Sequence, residues 1–283
     1  MKDMKEKIMH AVFFITACIS VLAVALICIF LFKTGFSGIK EIGLFEFLTG
    51  TEWRPKNDIY GIFPMIIGSI YVTAGAIVIG VPAGILCSIF MASFCPKWLY
   101  RFLKPVINLM AGIPSIVYGF FGLVVFVPIM QELTGTAGKG LLTASILLGV
   151  MILPTIISVS EAAIRAVPPQ YLEGALALGA TKEKSVFFTV VPAAKSGILA
   201  GVVLGIGRAI GETMAIIMVA GNQPVVPDSI ISGVRTMTAN IVLEMGYATG
   251  LHREALVATA VVLFVFILII NILVTILKNR SKA

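Results

Sequence analysis

Long stretches without a charged side chain constrain this sequence more than any other feature. Five of them contain no Asp, Glu, Lys or Arg: Ala11–Phe32, Ile59–Pro96, Pro105–Gln131, Gly140–Ser160 and Ala255–Leu277. A sixth stretch, Ser196–Gly221, contains only Arg208 and Glu212 as charged residues. Because a helix of roughly 20 apolar residues crosses the hydrocarbon core of a bilayer, the pattern predicts an all-α integral membrane protein with six transmembrane helices.

The composition supports a membrane protein and argues against several other classes. Hydrophobic residues make up 59% of the chain and charged residues 12%, whereas soluble domains carry about 25% charged residues. We attribute the net charge of +7 to membrane topology and expect no nucleic-acid partner. The histidines are far apart and the cysteines lack C-x-x-C spacing, which predicts no metal site and no cofactor. The sequence contains no clustered nucleophile and base, so nothing in it indicates an enzyme.

The distribution of Lys and Arg predicts the orientation in the membrane. With six spans and an internal N-terminus, most of the 21 basic residues fall on the cytoplasmic side, and the outer segments are nearly neutral. By the positive-inside rule, both termini are expected in the cytoplasm. The first span has a basic start, but its apolar stretch exceeds the roughly 7–15 residues of a signal peptide and no A-x-A site follows. We therefore expect it to be retained as a transmembrane helix.

The chain is predicted to have two parts. Residues 1–58 form an N-terminal transmembrane helix and an external loop, in which a short surface helix is expected near Ile42–Leu48. Residues 59–283 hold the remaining spans. The first of these spans is expected to be one long helix from about Phe63, kinked at Pro82. The external segment 222–254 contains two prolines and a weakly apolar stretch, and periodicity alone does not decide whether it turns back toward the other helices.

The cytoplasmic segment 166–195 has a helical pattern of its own. Pro168 and Pro169 suit the start of a helix, where a missing N–H costs nothing. Gly179 can adopt the left-handed conformation that ends a helix, and the Thr181 hydroxyl can cap the next one. Four residues recur at helical spacing and form a narrow apolar face: Leu172, Ala175, Leu176 and Gly179. The segment is either a solvated connector or, as its apolar face favours, a pair of short helices that dock into a partner.

The residues of this segment resemble a known motif. Glu173, Gly174 and Ala175 are followed after three residues by Gly179, and nine residues later by Thr189-x-Val191-Pro192. This arrangement resembles the EAA loop of ABC importer permeases (E-A-A, three residues, G, nine residues, I-x-L-P), with departures at Gly174, Thr189 and Val191. The literal E-A-A at 161–163 is not the motif, because valine stands where its glycine belongs.

The EAA resemblance implies the type I permease fold of ABC importers. In that family the loop is a coupling helix that fits into a cleft of the ATPase subunit. The residues that the resemblance assigns to this contact are Leu172, Glu173, Gly174, Ala175 and Gly179. The chain itself lacks the G-x-x-x-x-G-K-[ST] loop that holds ATP phosphates, so ATP hydrolysis is expected in a separate subunit.

Two further segments narrow the resemblance. AGIPSIVYGFFGL (Ala111–Leu123) and GIGRAIGETMAIIMVAGN (Gly205–Asn222) resemble the phosphate-specific transport (Pst) permeases, and the GETMA and AGN sequences favour the C-type subunit. The resemblance implies an importer of inorganic phosphate in the bacterial plasma membrane, surrounded by lipid. Its implied partners are an A-type permease subunit, two cytoplasmic ATPase subunits and an external phosphate-binding protein.

Arg208 and Glu212 are the candidate substrate-pathway residues. An arginine at the centre of a membrane helix costs about 2.5–3.5 kcal/mol on insertion scales, so such residues face a cavity or a partner. Spaced four residues apart, the two side chains can pair on one face of a helix. One interpretation is a structural salt bridge. The other is that Arg208 binds an oxyanion through its guanidinium fork, while Glu212 prevents the anion from being held too tightly.

Alternatives to phosphate import remain open at the level of the sequence. An importer of another oxyanion, such as molybdate or sulfate, would use the same arginine chemistry. A secondary anion carrier would use Arg208 and Glu212 as an ion relay, although no inverted repeat supports it. The glycines at four-residue steps on the same stretch, Gly197, Gly201 and Gly205, are expected to serve close helix packing and not substrate contact.

Overall fold

The computed structural model describes the backbone of residues 2–280, with the side chains of residues 6–7, 9–272 and 276. The helices are α1 (Lys2–Ile42), α2 (Leu44–Thr49), α3 (Phe63–Ile89), α4 (Lys97–Gly112), α5 (Ser115–Phe121), α6 (Val127–Thr134), α7 (Leu141–Arg165), α8 (Pro169–Ala177), α9 (Lys182–Ser185), α10 (Val191–Ala193), α11 (Lys195–Gly211), α12 (Met214–Val219), α13 (Met237–Glu244) and α14 (Gly250–Arg280). Two antiparallel strands, β1 (Trp53–Arg54) and β2 (Ile59–Tyr60), form a short hairpin.

The helices agree with the predicted membrane architecture. Five spans within the described residues are long and apolar enough to cross a membrane: Met9–Ile42, Phe63–Phe94, Ser115–Thr134, Leu141–Arg165 and Gly250–Ile272. A sixth is obtained if Lys182–Ala193 and Lys195–Gly211, which meet at an angle of 71°, are taken as one span. The predicted all-α class is confirmed; the hairpin is a local addition that the sequence pattern did not indicate.

The N-terminal part differs from the prediction. Helix α1 continues to Ile42, ten residues beyond the end of the apolar stretch Ala11–Phe32, so the predicted loop begins later than the apolar stretch indicates. The physical reason is packing against α14: a methyl group on Gly35 would lie 2.6 Å from a methyl of Val261, and the rings of Phe32 and Phe264 meet edge to face at 5.8 Å. The predicted surface helix is present as α2.

Two of the predicted spans are interrupted by extended residues. The stretch Pro105–Gln131 was expected to be one helix, but Ile113 and Pro114 have extended backbone angles that separate α4 from α5. This expectation was wrong because proline removes a donor and disfavours helical angles in the preceding residue. The stretch Ser196–Gly221 is interrupted at Glu212, which has φ −71° and ψ 134°. Helix α3, in contrast, begins at Phe63 as predicted.

The centre of the bundle is formed by α3, α7, α11 and α12, which share the largest buried cluster. Close contact between α7 and α11 depends on glycine: a methyl group on Gly201 would lie 2.9 Å from Ser160, and one on Gly205 would lie 2.7 Å from Ile156. The predicted packing role of these glycines is confirmed, and the contact lies within the chain.

The segment 222–254, predicted to be external, turns back onto the bundle. The N–H of Leu141 donates to Ser232 O at 3.0 Å, and the N–H of Val234 donates to Ala220 O at 2.8 Å. Helix α13 follows, with the Thr236 side chain accepting from Ala239 N at its start. Periodicity did not decide whether the segment turns back; these bonds show that it does, because they attach it to the start of α7 and the end of α12.

Candidate substrate pathway and coupling surface

The break between α11 and α12 is held open by specific hydrogen bonds. Glu212 Oε1 accepts from Thr213 N at 3.1 Å and Ala215 N at 3.5 Å, so the carboxylate caps the first turn of α12. Anionic groups at a helix N-terminus are favoured by the helix dipole. The Glu212 carbonyl accepts from Thr238 Oγ1 at 3.0 Å, which ties the break to the start of α13. The break is therefore a built feature of the fold.

Arg208 lies on the last turn of α11, just before the break, and its side chain is half-buried. Its Nη1 donates to Thr155 Oγ1 on α7 at 3.4 Å, a long contact to a neutral group. Because this contact is weak, it does not balance the charge of a guanidinium in the centre of a membrane protein.

The expected pairing of Arg208 with Glu212 is not found. Among the described residues, the two side chains form no ion pair within 4 Å, because Glu212 leaves the helix in an extended conformation and directs Oε1 to the α12 amides. The four-residue spacing therefore does not place both groups on one helical face. Of the two interpretations, the structural salt bridge loses its geometric basis.

The face of α11 next to Arg208 is open. A methyl group added to Gly207 or Gly211 would meet no atom within 4 Å, and Leu204, one turn earlier, is exposed. This face is distinct from that of Gly201 and Gly205, which is pressed against α7. Arg208 thus stands beside a strip of glycines that leaves room for an anion or for a facing subunit.

The segment 166–195, predicted to be cytoplasmic, has the local structure expected from the sequence. Helix α8 begins at Pro169 and ends at Ala177; Leu178 is its C-cap, and Gly179 follows with φ +83°. Ala180 N donates to Ala175 O at 3.2 Å and Gly179 N to Leu176 O at 2.9 Å, the bonding pattern of a left-handed helix end. Thr181 Oγ1 accepts from Lys184 N at 3.4 Å, as expected of a cap. The helix–glycine–cap arrangement is confirmed, while its contact with an ATPase stays a prediction.

The apolar surface of α8 differs in part from the expected stripe. Leu172 packs against a buried cluster of its own chain that includes Ile164 and Val186, so it supports the loop and is not wholly available to a partner. The most prominent apolar side chain is Leu178, which is 91% exposed. Sequence reasoning missed Leu178 because it lies off the i, i+3, i+4 row; its position beside the helix-ending glycine was the available signal.

A polar network on the predicted outer side also escaped the sequence-based predictions. Arg235 Nη1 donates to Glu244 Oε1 at 2.6 Å, and Arg235 Nε donates to Asn222 O at 2.9 Å. Glu244 Oε2 accepts from Trp53 Nε1 at 2.9 Å and lies 2.9 Å from His252 Nε2. The network joins the N-terminal hairpin to α13 and α14, so these groups, far apart in sequence, share one carboxylate.

Tyr60 lies beside this network and has a raised pKa. Tyr60 donates its hydroxyl to Asp58 Oδ1 at 3.1 Å, and burial together with this hydrogen bond raises the pKa of Tyr60 to about 12. Its ring stacks on His252 at 6.1 Å. Because α13 runs from the Glu212 contact to Glu244, this network is linked through α13 to the helix break.

Comparison with known proteins relates the chain to membrane transport. The family model described as binding-protein-dependent transport system inner membrane component matches residues 84–283. The probable ABC transporter permease protein YqgH of Bacillus subtilis is 38% identical over 278 residues, which cover 95% of this chain and 90% of that protein. The phosphate transport system permease protein PstC of Haemophilus influenzae is 36% identical over 278 residues, covering 91% of this chain and 88% of that protein.

Two solved structures have a similar fold. An inward-facing structure of the MetNI methionine ABC transporter matches with a TM-score of 0.62 at 19% identity, covering 81% of this chain and 99% of that chain. A bacterial alginate ABC transporter in complex with an alginate-bound periplasmic protein matches with a TM-score of 0.60 at 15% identity, covering 95% of this chain and 94% of that chain. The predicted permease fold is confirmed.

Proposed function

Because the chain belongs to the family of binding-protein-dependent transport system inner membrane components, we propose that it is the C-type permease subunit of an ATP-driven importer of inorganic phosphate. The proposal is supported by the similarity to proteins named as phosphate transport permeases. The observation that carries it is the position of Arg208, a weakly contacted guanidinium beside a helix break and an open strip of glycines. The named relatives give no support to a secondary anion carrier.

Arg208 is proposed to bind phosphate transiently during transport. A guanidinium presents donors in a planar fork that matches two oxygens of a tetrahedral oxyanion. A pathway residue must hold its ligand weakly enough to release it, and the negative charge of Glu212, four residues away, opposes long retention. Since Glu212 caps α12, its position is set by the fold and does not depend on a bound anion.

Glu212 also offers a chemical basis for choosing phosphate over sulfate. Hydrogen phosphate carries an O–H donor that a carboxylate can accept, whereas sulfate carries none at neutral pH. A carboxylate beside the pathway therefore repels both anions but can recover a charge-assisted hydrogen bond only from phosphate. We assign this discriminating role to Glu212.

Replacing Glu212 with glutamine should weaken this discrimination by roughly tenfold, the value of one hydrogen bond to a charged group. The amide oxygen of glutamine can still cap α12, so folding should be preserved. The assay is protection by phosphate or sulfate of a cysteine at Gly211 against alkylation, in purified complex without the external binding protein. Glu132→Gln, an exposed change at the end of α6, is the matched control. An unchanged phosphate-to-sulfate ratio would exclude the assigned role.

The proposed transport cycle needs partner subunits. An A-type permease would face this chain across the pathway, two ATPase subunits would bind on the cytoplasmic side, and an external phosphate-binding protein would deliver the substrate. Closure of the ATPases would move α8 and alternate the access of Arg208 between the two sides. The exposed Leu178 at the end of α8 supports α8 as the coupling contact.

The proposed orientation is tested by cysteine labelling. In a variant without the four native cysteines, a cysteine at Lys184 should react only with reagent admitted to the cytoplasm, and one at Asp228 only with reagent outside. Both positions are exposed, so accessibility within the fold does not limit the reaction. Labelling of the Lys184 position from outside intact cells would overturn the orientation and, with it, the cytoplasmic ATPase contact.

A further inference from the structure

A polar cavity lies where α4 meets the C-terminal end of α7. Its volume is about 540 Å³, and its lining includes Lys97, Tyr100, Arg101 and Arg165. We call this cavity the basic pocket. Three of these four side chains are cationic, and in the proposed orientation the pocket opens on the cytoplasmic side.

Arg165, which lines one wall of the basic pocket, is held in place by several contacts. Arg165 donates from Nε to Glu161 Oε1 at 2.8 Å and from Nη2 to Met91 O at 2.8 Å. Its guanidinium carbon lies 4.5 Å from the centre of the Tyr100 ring. Three independent contacts therefore hold this cation in place, although part of the side chain remains exposed.

The charge of the pocket is not balanced by the carboxylate beneath it. Glu161 is 1% exposed, and its second oxygen accepts from Lys104 Nζ at 2.7 Å. This one carboxylate thus serves both Arg165 and Lys104. Lys97 and Arg101 form no ion pair within the part of the chain that the structure describes. The group retains an excess of positive charge, which favours binding of an anion.

The surroundings of the pocket favour a membrane-bound anion. On α4, Trp98 is 74% exposed and Phe102 is 65% exposed, and each directly follows a basic residue of the pocket. Tryptophan is enriched where a protein meets the headgroup region, and helices with adjacent basic and apolar faces lie at the membrane surface. Basic pockets between helices on the cytoplasmic side bind phospholipid headgroups.

We propose that the basic pocket binds the phosphate-containing headgroup of an anionic phospholipid from the cytoplasmic leaflet. The acyl chains would lie along Trp98 and Phe102, while Lys97, Arg101 and Arg165 contact the headgroup. The inference uses the orientation given under the proposed function but not the identity of the transported substrate. Because α8 begins four residues after Arg165, the lipid would bind at the base of the coupling loop.

The test measures phosphatidylglycerol binding to the assembled complex in lipid nanodiscs. The discs contain phosphatidylcholine alone or an equimolar mixture with phosphatidylglycerol, and native mass spectrometry counts the retained lipid. Lys97→Gln with Arg101→Gln should weaken phosphatidylglycerol binding about 30-fold, since each basic side chain contributes a factor of about five. Lys139→Gln with Arg253→Gln removes the same charge from exposed positions elsewhere and should leave binding unchanged.

Three results would overturn the proposal. Equal phosphatidylglycerol retention by the wild type and the Lys97/Arg101 variant would show that the pocket is not the lipid site. Displacement of the lipid by inorganic phosphate would identify free phosphate as the ligand. Loss of the ATPase subunits from the Lys97/Arg101 variant, with lipid retention unchanged, would assign the pocket to an acidic protein surface. The number of retained lipids is measured without transport. Failure of the lipid proposal can therefore be distinguished from failure of the proposed transport function.

Discussion

Replacing Arg208 by glutamine is expected to reduce phosphate uptake about 100-fold while leaving the yield of the assembled complex unchanged. The reason is the loss of a bidentate, charge-assisted contact with the passing anion, worth on the order of 3 kcal/mol. Folding should be little affected, because the described contact of the guanidinium is one 3.4 Å hydrogen bond to Thr155. Arg208→Lys should recover only part of the uptake, since an ammonium retains the charge but not the fork.

The control for this prediction separates a pathway role from a structural one. A double replacement, Arg208→Leu with Glu212→Leu, removes both charges and would restore assembly and uptake together if the pair were only structural. Arg54→Gln, at an exposed arginine of the N-terminal hairpin, is the matched single change and should transport normally. Robust phosphate uptake by the double-leucine variant would mean that Arg208 does not contact the substrate.

Replacing Leu178 by aspartate should abolish transport by a different route, the loss of the ATPase subunits. The side chain is 91% exposed, so the change should not disturb the fold of α8. In the assembled importer, the same position would be buried against a partner. Burying leucine contributes about 1.5–3 kcal/mol, and burying an unpaired carboxylate is strongly unfavourable.

The measurement is co-purification of the ATPase subunits together with ATP-dependent uptake. Leu178→Met keeps the apolar volume and should retain both, which makes it the matched control. Normal insertion of Leu178→Asp into the membrane would separate lost coupling from misfolding. If Leu178→Asp retained its ATPase subunits in normal amount, α8 would not be the coupling contact proposed here.

Features that depend on local chemistry could be predicted from the sequence. The start of α3 at Phe63 follows from the apolar pattern, and the end of α8 follows from Gly179, whose φ of +83° disfavours residues with a side chain. Thr181 caps the next helix through its own hydroxyl. Each of these features is decided within a few residues, so the sequence alone contains the necessary information.

Features that depend on contacts between residues far apart in the sequence could not be predicted from the sequence. Helix α1 extends past the end of its apolar stretch because Gly35 permits close contact with α14. Helix α11 ends at Gly211 because the carboxylate of the next residue, Glu212, caps α12 and Thr238 binds the freed Glu212 carbonyl. The four-residue spacing suggested a pair between Arg208 and Glu212, but this inference holds only if both residues lie on one continuous helix. The helix breaks between α11 and α12, so the inference does not apply.

The partners in the two networks of charged residues could not be predicted from the sequence either. Glu161 was considered only as part of a motif-like sequence, yet it is the buried partner of Lys104 and Arg165. Glu244 lies in the segment 222–254, for which no ion pair was predicted, yet it joins Trp53, Arg235 and His252. Composition indicates that such charges need partners in a membrane protein, but only the three-dimensional arrangement identifies them.

The most direct test of the central claim is phosphate uptake by proteoliposomes that contain this chain with its A-type, ATPase and binding-protein partners. The account predicts that radiolabelled phosphate accumulates only when ATP reaches the ATPase subunits, that sulfate and molybdate do not compete at equal concentration, and that Arg208→Gln removes the accumulation. Accumulation of sulfate or molybdate instead of phosphate, or phosphate movement that does not require ATP, would contradict the claim.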